Sequence, residues 1–162
     1  MQSEEKDDAI HFFYGQNNPF SQWYRCYFYV DGVKYNCAEQ YMMHQKALLF
    51  GDEDVAEEIM MVQTPYMQKR LGRGVRHFRQ DKWDKECYKI VTKGNTEKFK
   101  QNPHLLKELL ATHPKTLAET NPYDCIWGIG LGSWDDRIHD KMLWRGENRL
   151  GYILTEIRNR EM

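Results

Sequence analysis

Apolar positions along the chain change period several times, and each change marks an element. After a polar leader, His11 to Tyr14 is a short aromatic run. Cys26 to Val30 and Val33 to Tyr35 flank Asp31-Gly32, and Asp-Gly supplies the positive φ angles of a tight two-residue turn, so this segment reads as a β-hairpin. From Asn36 the period becomes helical: Ala38, Tyr41, Met42, Gln45, Leu48 and Leu49 form one stripe, with Asn36 as the cap and Gly51 as the stop. Asp52 to Val62 reads as a second helix. Thr64-Pro65 opens a third, because threonine caps and proline is tolerated in the first turn, and Gly72 and Gly74 end it. Asp81 to Lys100 is one long amphipathic helix through Trp83, Cys87, Ile90, Val91 and Phe99, weakened at Gly94 by roughly 1 kcal/mol relative to alanine. Asn102-Pro103 repeats the cap-plus-proline signal ahead of Leu105, Leu106, Leu109 and Leu110. Thr112 to Tyr123 has no clear period and reads as a loop with a short strand at Thr116 to Glu119. Asn148 to Arg160 places Leu150, Ile153, Leu154 and Ile157 on one buried helical face. The pattern predicts a mainly α protein with a small N-terminal β-hairpin.

Length and composition narrow the class. The chain's 162 residues suit one domain, and 41% apolar with 14% aromatic residues is enough to build a core. We expect a flexible leader over residues 1–10 and a single domain over 11–162. Lys plus Arg number 23 against 24 Asp plus Glu, a net charge of −1, so the chain does not coat nucleic acid by charge alone and any anion site is local. Cys26, Cys37, Cys87 and Cys125 show no C-x-x-C spacing and are read as reduced thiols. The leader has no apolar core of a signal peptide, and no stretch approaches the ~18 apolar residues of a membrane span. The expectation is a cytoplasmic protein, or a nuclear one in a eukaryote, with no membrane association and no obligate protein partner. The six histidines never fall at metal-ligand spacing with a second ligand, so neither a metal nor another cofactor is expected.

Three segments carry candidate chemistry. Glu39, Met43, Lys46 and Phe50 form a second stripe on the helix that begins near Asn36; Glu39 and Lys46 share a face about 10 Å apart along the axis, able to flank a small ligand. The competing reading is a solvated charged face. It is weakened by Tyr41, Met42, Met43 and Leu48, because a helix apolar nearly all round is buried, and a buried Glu or Lys is usually paired or functional. From Lys69 to Lys82 the chain carries Lys69, Arg70, Arg73, Arg76, His77, Arg79 and Lys82 against one acid, Asp81. A glycine turn at Gly72 and Gly74 between arginines is one way to hold a phosphate or pyrophosphate, the alternative being a solvated basic loop. Around Tyr123 to Gly130, Trp127 stands beside Gly128 and Gly130; with Trp83 and Trp23 it can stack on a planar base, or each can serve the core. Asp135 and Asp136 follow, and Asn148 stands where it could simply cap the last helix.

Taken together and in order, these pieces resemble the NADAR family, also called YbiA-like. The resemblance rests on Phe20-Ser21 after the N-terminal Phe13-Tyr14 pair, Val30-Asp31-Gly32, Ala38-Glu39-Gln40-Tyr41-Met42 with Gln45-Lys46-Ala47, and Arg70-Leu71-Gly72-Arg73. Its later parts are Trp83, Ile126-Trp127-Gly128-Ile129-Gly130-Leu131, and Gly146-x-Asn148-x-Leu150-Gly151. It covers roughly Phe12 to Arg160. It implies a mainly helical YbiA-like domain and hydrolysis of the N-glycosidic bond between a ribose and an amino-bearing heterocycle. The family's substrates include ADP-ribose on guanine, in nucleotide or nucleic acid, and ribosylamine intermediates of riboflavin synthesis. By resemblance, Glu39 is the catalytic carboxylate, Lys46 a catalytic or Schiff-base lysine and Asp135 a second carboxylate. Ser21, Trp23, Arg70, Gly72, Arg73, Trp83, Trp127, Gly128 and Asn148 are implied to bind the substrate. Gln22 stands where the family commonly has Asn, and Asp136 where a subgroup has Pro.

The residues permit two mechanisms. A ribosylamine can open to an imine that a neutral lysine attacks, releasing the base; Lys46, desolvated on an apolar face, suits that step and Glu39 shuttles the protons. Alternatively water attacks directly, activated by Glu39 or Asp135, with Lys46 as an electrostatic clamp. The substrate would be ADP-ribosylated guanosine and the product ADP-ribose. A ribosylaminopyrimidine phosphate substrate and a non-catalytic ADP-ribose-binding module are the competing readings.

Overall fold

The computed structural model describes residues 9–162. Of the leader expected over 1–10, residues 1–8 lie outside the described part, and Ile10 already opens a strand. The chain divides into two compact units, residues 22–103 and the described residues up to Ser21 together with His104–Met162.

The unit of residues 22–103 begins with the hairpin the Asp-Gly pair announced. Strand β2 (Phe28–Val30) pairs antiparallel with β3 (Val33–Tyr35), with Asp31 at φ 51° and Gly32 at φ 80° in the turn. The side-chain amide of Gln101 closes one edge of β2, accepting from Tyr29 N and donating to Tyr29 O, both at 2.8 Å. Helix α1 (Ala38–Leu49) follows, capped by Cys37 rather than Asn36: Gln40 N donates to Cys37 Sγ at 3.4 Å, and the Gln40 side chain accepts from Asn36 N at 2.8 Å. The arrangement is like a capping box with a thiol in the serine's place, except that the return bond from Gln40 goes to the N–H one residue before the cap. Gly51, at φ 72°, ends the helix as expected. Helix α2 (Glu53–Met61) is capped by Asp52 and α3 (Pro65–Arg73) by Thr64 with Pro65 in its first turn. Helix α4 (Gln80–Gln101) runs unbroken through Gly94. Helices α2, α3 and α4 all pack on α1, which explains why six consecutive residues, Ala38 to Met43, are buried.

Gly72 corrects one expectation. It lies inside α3 rather than in a turn, and a Cβ there would stand 2.1 Å from Met43 Sδ of α1. Its smallness serves helix approach, and the turn is left to Gly74, which caps α3. Gly94 does the same on α4, where a Cβ would come within 2.5 Å of the Tyr41 ring.

The second unit is built on a parallel strand pair that the sequence pattern showed only in part. β1 (Ile10–Phe13) pairs with β4 (Thr116–Glu119), Ile10 opposite Thr116 through Phe13 opposite Glu119. Two parallel strands alone are a poor sheet, because each leaves an outer edge unpaired. Helix α6 (Arg149–Arg160) supplies the missing partners with side chains: Leu117 N donates to Thr155 Oγ1 at 2.9 Å, Glu119 N to Asn148 Oδ1 at 3.2 Å, and Asn148 Nδ2 to Leu117 O at 3.0 Å. Buried Arg158 binds Thr112 Oγ1 at 3.1 Å and the Lys115 carbonyl, tying the approach to β4 onto the same helix. Ile10, Ala118, Ile129, Leu131 and Ile138 form a core cluster here, with Phe12 and Trp144 against it. Helix α5 (Pro103–Leu110) starts at the expected proline and buries Leu105 and Leu109. Two 3₁₀ turns, Asp136–His139 and Lys141–Leu143, precede α6. No helix among the described residues is long and apolar enough to cross a membrane, and none of the four cysteines is in a disulfide.

Glycine-to-alanine changes inside a helix normally stabilise by up to about 1 kcal/mol. Gly94→Ala should do the opposite, because the new methyl meets a packed tyrosine ring. We expect a net loss of about 1–3 kcal/mol, read as a lower urea midpoint, and Gly94→Ala with Tyr41→Leu should recover part of it.

Candidate active site

Helix α1 sets the chemistry of the 22–103 unit. Glu39 sits in its first turn, 5% exposed, where the helix dipole favours a carboxylate, and its N–H donates to Gln22 O at 2.9 Å. Lys46 lies two turns on and is half-buried. Its Nζ stands 4.7 Å from the centre of the Phe78 ring and 5.6 Å from that of Trp83. Burial lowers its proton affinity below that of an ordinary lysine; the Glu39 carboxylate works against this and the Arg73 guanidinium adds to it. The structure therefore brings Glu39, Lys46, Arg73 and Trp83 into mutual influence through α1, α3 and α4. Trp83 is buried.

The basic segment is less uniform than its sequence. Arg76 is committed to acids: its N–H and guanidinium hold Asp52 at 2.8 Å each, and the guanidinium also reaches Asp54 at 2.9 Å. The grip of Arg76 keeps the Asp52 carboxyl far below the usual carboxylate range. Arg79 pairs with Asp81 at 2.8 Å, and Lys82 donates to the Leu49 carbonyl at 3.3 Å. Arg70 and Arg73 remain exposed on α3 with no carboxylate partner among the described residues. Lys69 holds its ammonium 5.8 Å over the Trp23 ring, so Trp23 is a half-buried wall beside the basic side of α3.

The other implied residues, Ser21, Trp127, Gly128, Asp135 and Asn148, belong to the second unit. Ser21 is buried. The segment Cys125 to Ile129 is zipped by its carbonyls to the start of α6: Glu147 N donates to Cys125 O at 2.8 Å, Asn148 N to Gly128 O at 3.0 Å, Arg149 N to Ile126 O at 3.1 Å and Leu150 N to Trp127 O at 3.1 Å. The first amides of α6, which would otherwise lack partners, are thus satisfied by this loop. Gly146 permits the approach, since a Cβ would stand 2.2 Å from Gly128 O. The half-buried Trp127 ring faces the Arg149 guanidinium at 6.0 Å. Asn148 does not cap α6: its backbone is left-handed (φ 52°, ψ 38°), it is fully buried, and its amide is spent on Leu117 and Glu119 of β4. Asp135 accepts from Arg137 Nε at 3.0 Å and Nη2 at 2.6 Å, and this pairing with Arg137 holds its carboxyl down to about 2. It is an anion of low basicity at neutral pH.

Sequence reasoning missed Phe78, the nearer of the two rings at Lys46. Its signal was present: a single aromatic residue inside the basic run of 69–82 has no core stripe of its own to join.

A half-buried lysine and a buried glutamate on one helix, with two aromatic rings at the lysine and two arginines on α3 that lack a carboxylate partner among the described residues, are the kind of side chains that acid–base or imine chemistry uses. Comparison with known proteins gives the class. The NADAR domain model matches residues 12–160. The N-glycosidase R617 of Acanthamoeba polyphaga mimivirus is 44% identical over 93% of this chain and 95% of its own. The N-glycosidase YbiA of Escherichia coli is 33% identical over 98% of this chain and 91% of its own. The NMR structure of E. coli YbiA superposes with a TM-score of 0.78, covering 96% of this chain and 86% of that one. The Riboflavin biosynthesis protein VVA0006 of Vibrio vulnificus is 26% identical over 98% of this chain but only 40% of its own length. The chain belongs to the NADAR family, and it is an enzyme of the N-glycosidase class.

Asn148 offers a direct test of what the Gly146-x-Asn148 motif does. Asn148→Ala removes the side chain that accepts from Glu119 N and donates to Leu117 O, and it puts alanine in a left-handed backbone, so we expect a loss of about 2–4 kcal/mol. Urea denaturation reads it. A residue that served the substrate alone would raise KM and leave the unfolding midpoint unchanged.

Proposed function

We propose that the protein hydrolyses the bond between C1 of the ribose of ADP-ribose and the amino nitrogen of guanine, in a nucleotide or in nucleic acid, releasing ADP-ribose. The observation that carries this reading is Lys46: an amine half out of water, with its proton affinity lowered by burial and by Arg73, beside a buried carboxylate. Lowered proton affinity raises the share of the neutral amine, the form that attacks an imine. In this mechanism the ribosylamine opens as its C1 bond to the ring oxygen breaks and the amine proton moves to that oxygen, leaving an imine on the guanine nitrogen. Neutral Lys46 adds to C1, its two protons pass one after the other to the guanine nitrogen through Glu39, and the base leaves as its free amine with C1 double-bonded to Nζ. Water then adds to the lysine Schiff base, giving the sugar aldehyde, which recloses, and restoring the amine. Glu39 is the general acid–base of both steps. Asp135, in the other unit, is held ionised by Arg137 and is a poor proton donor.

Arg70 and Arg73 serve the pyrophosphate. They stand three positions apart on α3, a spacing that puts both guanidinium groups on one helix face. Within the 22–103 unit, Trp83 and Trp23 are the aromatic faces for a base.

A second reading keeps the N-glycosidase and makes a ribosylaminopyrimidine phosphate the substrate; the match to a riboflavin biosynthesis protein favours it. The two separate when ADP-ribosyl-guanosine and the ribosylaminopyrimidine phosphate are offered side by side and release of each base is followed. Faster turnover of the second compound would overturn the first reading.

Lys46→Ala should abolish turnover, and borohydride added during turnover should trap a ribosyl adduct on Lys46 of the wild-type enzyme. Glu39→Ala should lose at least ~10²-fold in kcat. An active enzyme with no adduct at Lys46 would assign the reaction to direct water attack.

Arg73→Ala should weaken ADP-ribosyl substrates by roughly 1.5–3 kcal/mol more than a phosphate-free ribosylamine. It also removes a positive charge that disfavours the Lys46 ammonium. The lysine then holds its proton to higher pH, and the rising limb of the pH–rate profile should move upward. Equal losses for both substrates and an unmoved limb would remove Arg73 from the site.

A further inference from the structure

We infer that Phe78 is a positioning residue of the reaction: its ring, with that of Trp83, forms an aromatic cage that fixes the Lys46 nitrogen and stabilises the protonated Schiff base formed on it. This rests on the lysine mechanism proposed above. Two ring centres stand 4.7 and 5.6 Å from Nζ, both within the ~6 Å over which a ring face attracts a cation. The Trp83 ring is part of the core, whereas Phe78 is 39% exposed and makes its approach from a connecting turn. An exposed aromatic on a turn ordinarily has freedom to leave. Here the turn is built to hold it.

Val75 is buried. Arg76 is gripped twice by Asp52, through its backbone N–H and its guanidinium, at 2.8 Å each. His77 adopts a left-handed backbone with φ 63°, which reverses the chain between the Arg76 anchor and the start of α4. Histidine pays some strain there, and the turn keeps it because the residues on either side are fixed. Phe78 then meets Phe50, the C-cap of α1, edge to face at 5.2 Å. The ring over the lysine is thereby referenced to the helix that carries the lysine.

The chemistry gives the cage a use. Transfer of the imine from guanine to Lys46 leaves C1 double-bonded to Nζ, and in its protonated form that nitrogen carries a positive charge where the ammonium stood. Water attacks C1 of this cation. Two negative ring faces favour the cation without offering a lone pair that would compete for C1. Burial and Arg73 favour the neutral amine that must attack first, whereas the cage favours the cation, both the free ammonium and the protonated Schiff base. The charged groups bearing on Lys46 are Glu39 of α1 and Arg73 of α3. On the α4 side Lys82 is engaged with the Leu49 carbonyl and lies 5.8 Å from the Phe50 ring, and at the start of α2 Asp52 and Asp54 are taken by Arg76.

The test compares Phe78→Leu, Phe78→Tyr and pentafluorophenylalanine at position 78. The last keeps the ring's shape and removes its attraction for cations, so a folding defect cannot stand in for the effect. Two readings are taken. One is kcat and KM on ADP-ribosyl-guanosine. The other is the pH midpoint for acylation of Lys46 by a limiting amine reagent in the unliganded protein, which does not depend on turnover. Phe78→Leu and the fluorinated ring should lower kcat about three- to tenfold with KM within about twofold, and should move the Lys46 midpoint down, since the charged form loses its support. Phe78→Tyr should hold both at wild-type values. Wild-type kcat and an unmoved midpoint with the fluorinated ring would overturn the inference, as would a Tyr variant as slow as the Leu variant. Lys46→Ala serves as the control: turnover by that variant would overturn the lysine mechanism itself, while a midpoint shift in the fluorinated protein would still report the cage.

Discussion

In the 22–103 unit the packing of α1 fixes the direction of the half-buried Lys46 ammonium, which stands against two aromatic faces. A lysine stem can be buried cheaply but its head cannot, so the head needs a fixed direction and compensating contacts. Direction comes from the rotation of α1 about its own axis, and two glycines on neighbouring helices determine it. Gly72 of α3 receives Met43, and Gly94 of α4 receives Tyr41. With a side chain seated in a notch on each of two helices, α1 cannot turn without opening both contacts. Each glycine costs helix propensity of about 1 kcal/mol, and close packing of the two helices on α1 offsets that loss. The orientation of Glu39 and Lys46 is therefore a consequence of where side chains are missing.

The second unit solves a different problem by the same economy of contacts. A parallel pair of four-residue strands has few backbone hydrogen bonds, and β4 would lose its outer partners to water. Asn148 reaches β4 from the start of α6 and satisfies a donor and an acceptor at once, because its side-chain amide presents both groups in the geometry of a peptide. Gly151 makes this possible: a Cβ there would stand 2.2 Å from Leu117 O and 2.4 Å from Asn148 Oδ1. The closing motif of the sequence, Gly146-x-Asn148-x-Leu150-Gly151, thus describes one junction of loop, strand and helix.

What the sequence made legible follows from how local each cause is. The Asp-Gly hairpin, the Thr64-Pro65 start of α3 and the apolar stripe of α6 are decided within a few residues, and all stand where the pattern predicts. The capping of α1 by Cys37 was not legible, because a thiol is a weak acceptor and its role depends on Gln40 and Gln68. The β1–β4 pair joins residues over a hundred positions apart, and His11 to Tyr14 has too few alternations to announce a strand. Gly72 read as a turn beside Gly74 because a buried helical glycine and a C-cap glycine are the same letter. Among the candidate site residues, Glu39 and Lys46 were visible through the apolar residues around them, which argued for burial on both sides of the helix. Phe78 stood out as a lone aromatic in a basic run, but its partner was not legible, because Lys46 lies thirty-two positions earlier.

Charge shows most plainly what position in the sequence leaves undecided. Seven basic residues between 69 and 82 suggest a strongly positive surface, yet two of the arginines are used to hold the chain. Arg76 anchors a turn to Asp52 and Arg79 pairs with Asp81 in the first turn of α4. Lys69 lies over Trp23 and Lys82 against the end of α1. What is left for an anion is chiefly Arg70 and Arg73, one turn apart on α3. Three positions apart puts these two arginines on one face of α3, and a chain of net charge −1 adds no general attraction for a polyanion. An enzyme proposed to release ADP-ribose has reason for such restraint, since every contact to the pyrophosphate is made equally to substrate and product and slows release as much as it favours binding.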